Sequence, residues 1–212
     1  ATSLKDRVRS YFANDLIATR GPLIVDMVFQ ADNIDFIQTD SVLEALILES
    51  NLIKKYQPRY NTKEKDDRSY NYVIITKEDF PRVLIERGRT LDKIDNTKYT
   101  IKEKFGPFTN GTQLKEALKI IRKIFPFLDD KSLKNTGYKF YKEIGLAPET
   151  MGTDAQKDYI KNIKNISLFF QGKKTDIINN LEKEMKVSAK KQEFEKAKQI
   201  KRTIFALNHI QD

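Results

Sequence analysis

An α+β fold is predicted for this 212-residue chain, and three observations predict it. In the first third, runs with an apolar residue every third or fourth position alternate with a short β-type run. Three Val-, Ile- and Tyr-rich runs then follow one another between Tyr70 and Lys104. Beyond Thr153 nearly everything carries the helical period. The expected organisation is a small α/β unit over 1–67, a small antiparallel sheet with a helical connecting region over 68–152, and a helical region over 153–212 that ends in an αα-hairpin.

Ser3 and Asp6 suit the start of a short helix whose apolar side holds Leu4, Val8, Tyr11 and Phe12. A second helix is expected over 22–30, with Pro22 in its first turn, and a strand over 34–39. Ser41 and Glu44 form a capping box that opens a third helix, which Pro58 closes just past Tyr56. Strands are read at 70–76, 82–86 and 99–104, separated by turn residues. From Thr112 the pattern is helical, with Leu114, Leu118, Ile121 and Phe125 on one face, and 128–152 reads as a Gly- and Pro-containing connection. In the last segment Ile177, Ile178, Leu181, Met185 and Ala189 recur at helical spacing. A turn at Gln192 and Glu193 follows, then Phe194, Ala197, Ile200, Ile204 and Leu207 repeat the pattern. Two such helices bury little alone, so the hairpin either docks on the rest of the chain or receives a similar hairpin from another protein.

A formal charge of +9 and a sequence pI of about 9.4 favour polyanionic partners such as nucleic acid. The chain has no Cys, which excludes disulfides, thiolate nucleophiles and cysteine-held metal clusters and fits a reducing, cytoplasmic location. The one His, His209, has no second His or Cys with which to hold zinc. The longest apolar stretch, 23–29, is broken by Asp26 and too short to span a bilayer, and no signal peptide is recognised.

Glu49 is the residue that asks for an explanation. At 100° per residue, Leu52, Ala45, Tyr56, Val42, Ile53 and Leu46 fan across an arc centred on it, while Lys54, Lys55, Asn51 and Glu44 fall opposite. A carboxylate buried in such an arc must be paired, hydrogen-bonded, protonated or metal-bound, and pairing with a Lys or Arg is the commoner solution. Arg7 and Tyr11, at i, i+4 spacing, point the same way and together suit a phosphate, through a planar fork of donors and a hydroxyl. Glu49 tied to a lysine, or turned to bulk solvent well away from that pair, would collapse the nuclease interpretation drawn from these residues.

Leu4-Lys-Asp-Arg-Val-Arg-Ser-Tyr-Phe12, the run Thr39 to Asn61 that contains Glu49-Ser-Asn-Leu-Ile-Lys-Lys-Tyr-Gln-Pro-Arg-Tyr-Asn61, Lys65-Asp-Asp-Arg-Ser-Tyr70, Asp79-Phe-Pro-Arg82 and Phe105-Gly-Pro-Phe-Thr109 together resemble the amino-terminal half of the UvrC family. That family holds the incision subunits of bacterial nucleotide excision repair. The segment from Leu181 through Leu207 resembles the UVR motif by which UvrC engages UvrB. The resemblance implies a GIY-YIG-type nuclease unit in which Glu49 holds a single Mg²⁺ or Mn²⁺, Arg7 and Tyr11 flank the scissile phosphate and Asn61 supports the site. It implies hydrolysis of damaged double-stranded DNA on the 3′ side of a lesion, with a family tyrosine taking the proton from water, and UvrB docking through Met185, Phe194, Ala197, Arg202 and Ile204. Charge and proximity to the site make Lys5, Arg9, Lys54, Arg59, Lys65 and Arg68 candidate DNA contacts.

Three departures from the family pattern carry expectations of their own. The Gly-Ile-Tyr and Tyr-Ile-Gly strands do not occur in these residues, so the nuclease unit is expected to lack its first strands and its general base, and to cleave weakly or not at all. Where many members carry a cysteine cluster, this chain has Lys139 and the 146–149 stretch, so neither an Fe–S cluster nor zinc is expected. The family's RNase H-like and helix-hairpin-helix regions are not among the residues either. The aromatic and basic segment 137–142 could stack on a DNA strand or form a packed loop. Asp66 and Asp67 read as a solvated turn rather than a second metal site. A non-catalytic adaptor docking on UvrB and DNA is the alternative to the nuclease.

Overall fold

Residues 3–61, 70–91, 99–132, 137–150 and 154–210 are described by the structure, a computed structural model. Its centre is a three-stranded antiparallel sheet of β1 (Asn71–Thr76), β2 (Val83–Arg87) and β3 (Ile101–Phe108) in the order β2-β1-β3. Val73 of β1 is opposite Ile85 of β2 and Phe105 of β3. Val73, Ile74 and Ile75 are fully buried because both faces of the central strand are covered. Val73 and Ile75 point into the main core, while Ile74 meets Leu84 and Tyr99 on the other side. The strands sit close to their expected positions, but β3 runs on to Phe108.

Helices on the main-core side complete that packing. In α4 (Val42–Tyr56) the Ser41 hydroxyl accepts from Glu44 N–H at 3.1 Å, as the capping box requires, and Gln57 ends the helix in a left-handed conformation at φ 44°. Its buried face is Leu43, Leu46, Ile47, Ser50 and Ile53. A four-residue helix, α5 (Gly88–Leu91), follows β2. Next, α6 (Gly111–Ile124) is capped by Asn110, whose side chain accepts from Thr112 and Gln113 N–H, and buries Leu114, Leu118 and Ile121 with Phe125 just beyond its end. The stretch read as a connection contains α7 (Gly137–Glu143), then α8 (Ala155–Phe170) drives Tyr159, Ile163, Ile166 and Phe170 into the core. The Tyr159 hydroxyl donates to Pro81 C=O and accepts from Leu128 N–H, which satisfies a phenol that burial holds in its neutral form.

The hairpin of α9 (Lys174–Lys190) and α10 (Phe194–Asn208), with Gln192 at φ 61° in its turn, docks on the rest of the chain. Ile177, Leu181, Ile200, Leu207 and Ile210 belong to the same core as the sheet and α4. Ala189, expected on its apolar face, is exposed; Ser188 is buried in its place.

Before α4 lie three short helices, α1 (Leu4–Arg9), α2 (Leu16–Arg20) and α3 (Pro22–Gln30), in which only Leu16 is buried. Ser3 caps α1 as expected, accepting from Asp6 N–H at 3.2 Å, but Leu4, Val8 and Phe12 are exposed rather than packed. The strand expected at 34–39 is absent. That stretch pairs with no described strand, and Ile34, Phe36 and Ile37 are exposed. A β-type run makes a strand only where a neighbour completes its ladder. Among the described residues no helix is long and apolar enough to cross a membrane.

Candidate functional site

Arg7 and Tyr11 come together as their spacing predicts. The Arg7 guanidinium lies 5.4 Å from the centroid of the Tyr11 ring. Arg20, which the sequence did not single out, joins them from α2: its guanidinium lies 4.7 Å from the same ring, and Nη2 donates to Ser10 Oγ at 3.0 Å. Two guanidiniums around one phenol make a compact cationic site beside an exposed helix, a site that suits a phosphate oxyanion.

Glu49 is not buried, and the expected apolar surroundings must be corrected. The buried arc of α4 centres on Ser50, so Glu49 stands roughly 100° away from its middle. The apolar arc drawn from the sequence included Leu52, Ala45 and Tyr56, but the first two are only half-buried and Tyr56 is exposed. Core partners come instead from α6, α8 and the sheet, against the other side of the helix. The Glu49 carboxylate faces outward, with Thr109 Oγ1 donating to Oε1 at 3.4 Å. Among the described residues no lysine neutralises it, and none of their contacts joins it to Arg7 or Tyr11. The argument from the cost of burial therefore fails for this residue, and the nuclease interpretation loses its support from these residues and is left to the family resemblance.

Asn61 is exposed, its backbone N–H donating to Pro58 C=O at 3.1 Å. Its neighbour Tyr60 is the anchor: Oη lies 2.8 Å from Asp26 Oδ2 and 2.9 Å from Gln30 Oε1, which pins the end of the Glu49 segment onto α3. The hydrogen bond to the Asp26 carboxylate raises the phenol's pKa above its ordinary value. Lys5, Arg9, Lys54 and Arg59 are exposed, and Arg59 lies over the Tyr60 ring at 5.7 Å. Lys65, Arg68, Asp66 and Asp67 lie outside the described residues.

Among the described residues no three Asp, Glu or His side chains cluster as a metal cage. One open carboxylate with a hydroxyl beside it is nonetheless a fitting donor set for Mg²⁺ or Mn²⁺ that keeps most of its waters. On the hairpin, Phe194 and Arg202 are exposed, whereas Met185, Ala197 and Ile204 are half-buried, Met185 and Ile204 against the core. Val187 and Phe205 are exposed as well, and Phe205 stacks on His209 at 4.0 Å. Segment 137–142 is helical, with the Tyr138 hydroxyl donating to Pro148 C=O, Tyr141 against Arg122, and Phe140 exposed.

Arg20, Tyr60 and Thr109 were missed by sequence reasoning. Tyr60 stood within the quoted Glu49 motif, but its partner Asp26 is 34 positions away, and Thr109 is 60 positions from Glu49. Neither separation leaves a periodic trace in a single sequence.

Residues 1–62 match the UvrC-like GIY-YIG domain and residues 175–210 match the UvrB/UvrC motif. Along essentially its whole length the chain is similar to the UvrABC system protein C of Caldanaerobacter subterraneus subsp. tengcongensis, with 37% identity over 220 residues, 100% of this chain and 34% of the relative. The protein of that name in Clostridium perfringens is 39% identical over 100% of the chain and 34% of the relative. In Methanothermobacter thermautotrophicus the figures are 35% over 99% and 34%. No solved structure matches the chain. The chain spans about a third of the length of these relatives, and it carries matches to both the UvrC-like GIY-YIG domain and the UvrB/UvrC motif.

Proposed function

We propose that this chain carries the GIY-YIG nuclease site of a DNA incision subunit in nucleotide excision repair, one that hydrolyses a phosphodiester on the 3′ side of a lesion in concert with UvrB. The observation that carries the reading is the presence of the UvrC-like GIY-YIG match and the UvrB/UvrC motif on one chain. Glu49, outward on α4, is the residue to hold Mg²⁺ or Mn²⁺. When bound, such an ion neutralises charge on the leaving oxygen. Arg7 stabilises the phosphoryl oxygens, Tyr11 orients the phosphate beside it, and Asn61 supports the site. Lys5, Arg9, Lys54, Arg59, Lys65 and Arg68 are the phosphate contacts that position the duplex. The outward surface around Phe194 and Arg202, with Met185, Ala197 and Ile204 behind it, receives UvrB.

The 212 residues contain neither a Gly-Ile-Tyr nor a Tyr-Ile-Gly run, so by themselves they are expected to cut weakly or not at all. That same fact favours the second reading, a non-catalytic adaptor docking on UvrB and DNA. Lesion-bearing duplex incubated with the chain, UvrB and Mn²⁺ separates the cases. Incision lost in Glu49→Gln supports the nuclease and, if robust, overturns the expectation of weak activity. Binding without incision, unchanged by Glu49→Gln, supports the adaptor. A flat plot of log affinity against log salt would remove the phosphate contacts from either reading.

A further inference from the structure

A cleft of about 630 Å³ lies between β2, α6 and the turn after Leu128, with Glu49 not among its lining residues. Three features of it converge on one ligand chemistry, and none belongs to the nuclease reading.

The first is an open strand edge. β2 is the outer strand of the sheet. Thr76 N–H donates to Arg82 C=O and Gly88 N–H to Tyr70 C=O, so Arg82, Leu84 and Glu86 turn their main-chain groups toward β1. Val83 and Ile85 turn theirs outward. Val83 N–H is met by Leu128 C=O at 2.9 Å, but the chain then bends away through the Asp129–Ser132 turn, and no described residue pairs with the outward N–H and C=O of Ile85. Such an edge is a template for another strand.

The second is charge. Lys115, Lys119 and Lys123 follow one another at i, i+4 spacing along α6, about 6 Å per step. Lys131 adds a fourth ammonium to the same cleft, and all four are exposed, with no ion pair to any described residue. Of the acids beside them, Asp129 is paired with Arg122, Asp130 shares Arg82 with Glu78, and Glu86 accepts from the Tyr99 hydroxyl and keeps its charge. With five cations against three carboxylates in its lining, the cleft carries an excess of positive charge, concentrated on the α6 side.

The third is the wall, which is apolar through Ile85, Leu118, Phe127 and Leu146. Its rings are not free platforms for bases, since the Arg122 guanidinium sits 4.9 Å from the Phe127 centroid and 4.4 Å from that of Tyr141. An open main-chain edge matches a peptide backbone rather than a nucleotide.

We propose that an extended acidic peptide segment binds in this cleft as an added strand on β2, its backbone paired with Ile85, its apolar side chains on the wall and its carboxylates on the α6 lysines. The test uses the full chain, labelled with ¹⁵N, and a short acetylated and amidated peptide that alternates glutamate with valine. A lysine–valine peptide and an oligothymidylate serve as comparators. The acidic peptide is expected to bind, to shift the amide resonances of Ile85 and its neighbours, and to slow Ile85 amide exchange. Lys115→Glu/Lys119→Glu/Lys123→Glu, which alters exposed positions only, is expected to weaken binding about tenfold or more, whereas Lys183→Glu/Lys186→Glu/Lys190→Glu on α9 leaves it nearly unchanged. Absence of binding, shifts confined to other surfaces, equal loss in the two triple variants, or preference for the oligothymidylate at the same lysines would each overturn the proposal.

Discussion

Lys174 Nζ lies 2.6 Å from Glu44 Oε1, and this pair joins the first turn of the carboxyl-terminal hairpin to the first turn of the helix that carries Glu49. Both side chains are only about a fifth exposed, and further along α4 Asn51 Nδ2, donating to Phe170 C=O at 3.3 Å, ties the same helix to the end of α8. Lys174→Ala is expected to lower stability by about 1 kcal/mol, more than an exposed pair and less than a fully buried one. A urea titration reads this as a lower midpoint with an unchanged slope; no shift would show that the contact contributes nothing.

The hairpin has an inner and an outer apolar face, and truncation separates them. Leu207 is fully buried, so Leu207→Ala is expected to cost about 2–5 kcal/mol. Phe205 is 63% exposed, so Phe205→Ala should stay within about 0.5 kcal/mol. Comparable losses in the two variants, measured by chemical denaturation, would contradict the docked arrangement.

Acid should unfold the protein through specific carboxylates. Burial pushes Asp129 up, but the Ser132 N–H and the Arg122 guanidinium together outweigh it and hold the group below its ordinary value. The Arg82 hydrogen bonds do the same for Glu78. Because both folded values are depressed, their contribution is present above the unfolded carboxyl range, near pH 4, and disappears as pH falls through the folded values. Unfolding free energy followed downward from pH 6 should therefore drop below about pH 4, and Asp129→Asn should flatten that drop. An unchanged slope in the variant would exclude Asp129 as a contributor.

Glu49→Gln tests whether the outward carboxylate serves a ligand or the fold. With no buried charge to uncover, its stability should match the parent within about 0.5 kcal/mol, while Mn²⁺-induced broadening of nearby amide resonances should vanish. Broadening that persists in the variant would move the ion elsewhere.

The caps at Ser3 and Ser41, the three strands and the final hairpin were legible because each rests on neighbours in the chain: a hydroxyl three residues from an amide, an alternation, a 3.6-residue period. What failed depended on partners. The run 34–39 had a strand's composition and no pairing neighbour among the described residues. Glu49 was placed at the centre of an apolar arc because periodicity shows how wide such an arc is, whereas the elements that cover it decide which part is buried. The site divided along the same line: Arg7 and Tyr11, four residues apart, met as expected, while Thr109 and Arg20 reached Glu49 and Tyr11 by folding alone.

Nine of the large apolar side chains left exposed among the described residues, from Leu4 to Tyr56, precede Gln57, and they sit on a polypeptide of net charge +9. Mutual repulsion keeps copies apart in dilute buffer, but near physiological ionic strength the Debye length shrinks to about 8 Å and that protection fades. Rising salt is therefore expected to draw copies together through the amino-terminal quarter, which light scattering would read as growing particle mass.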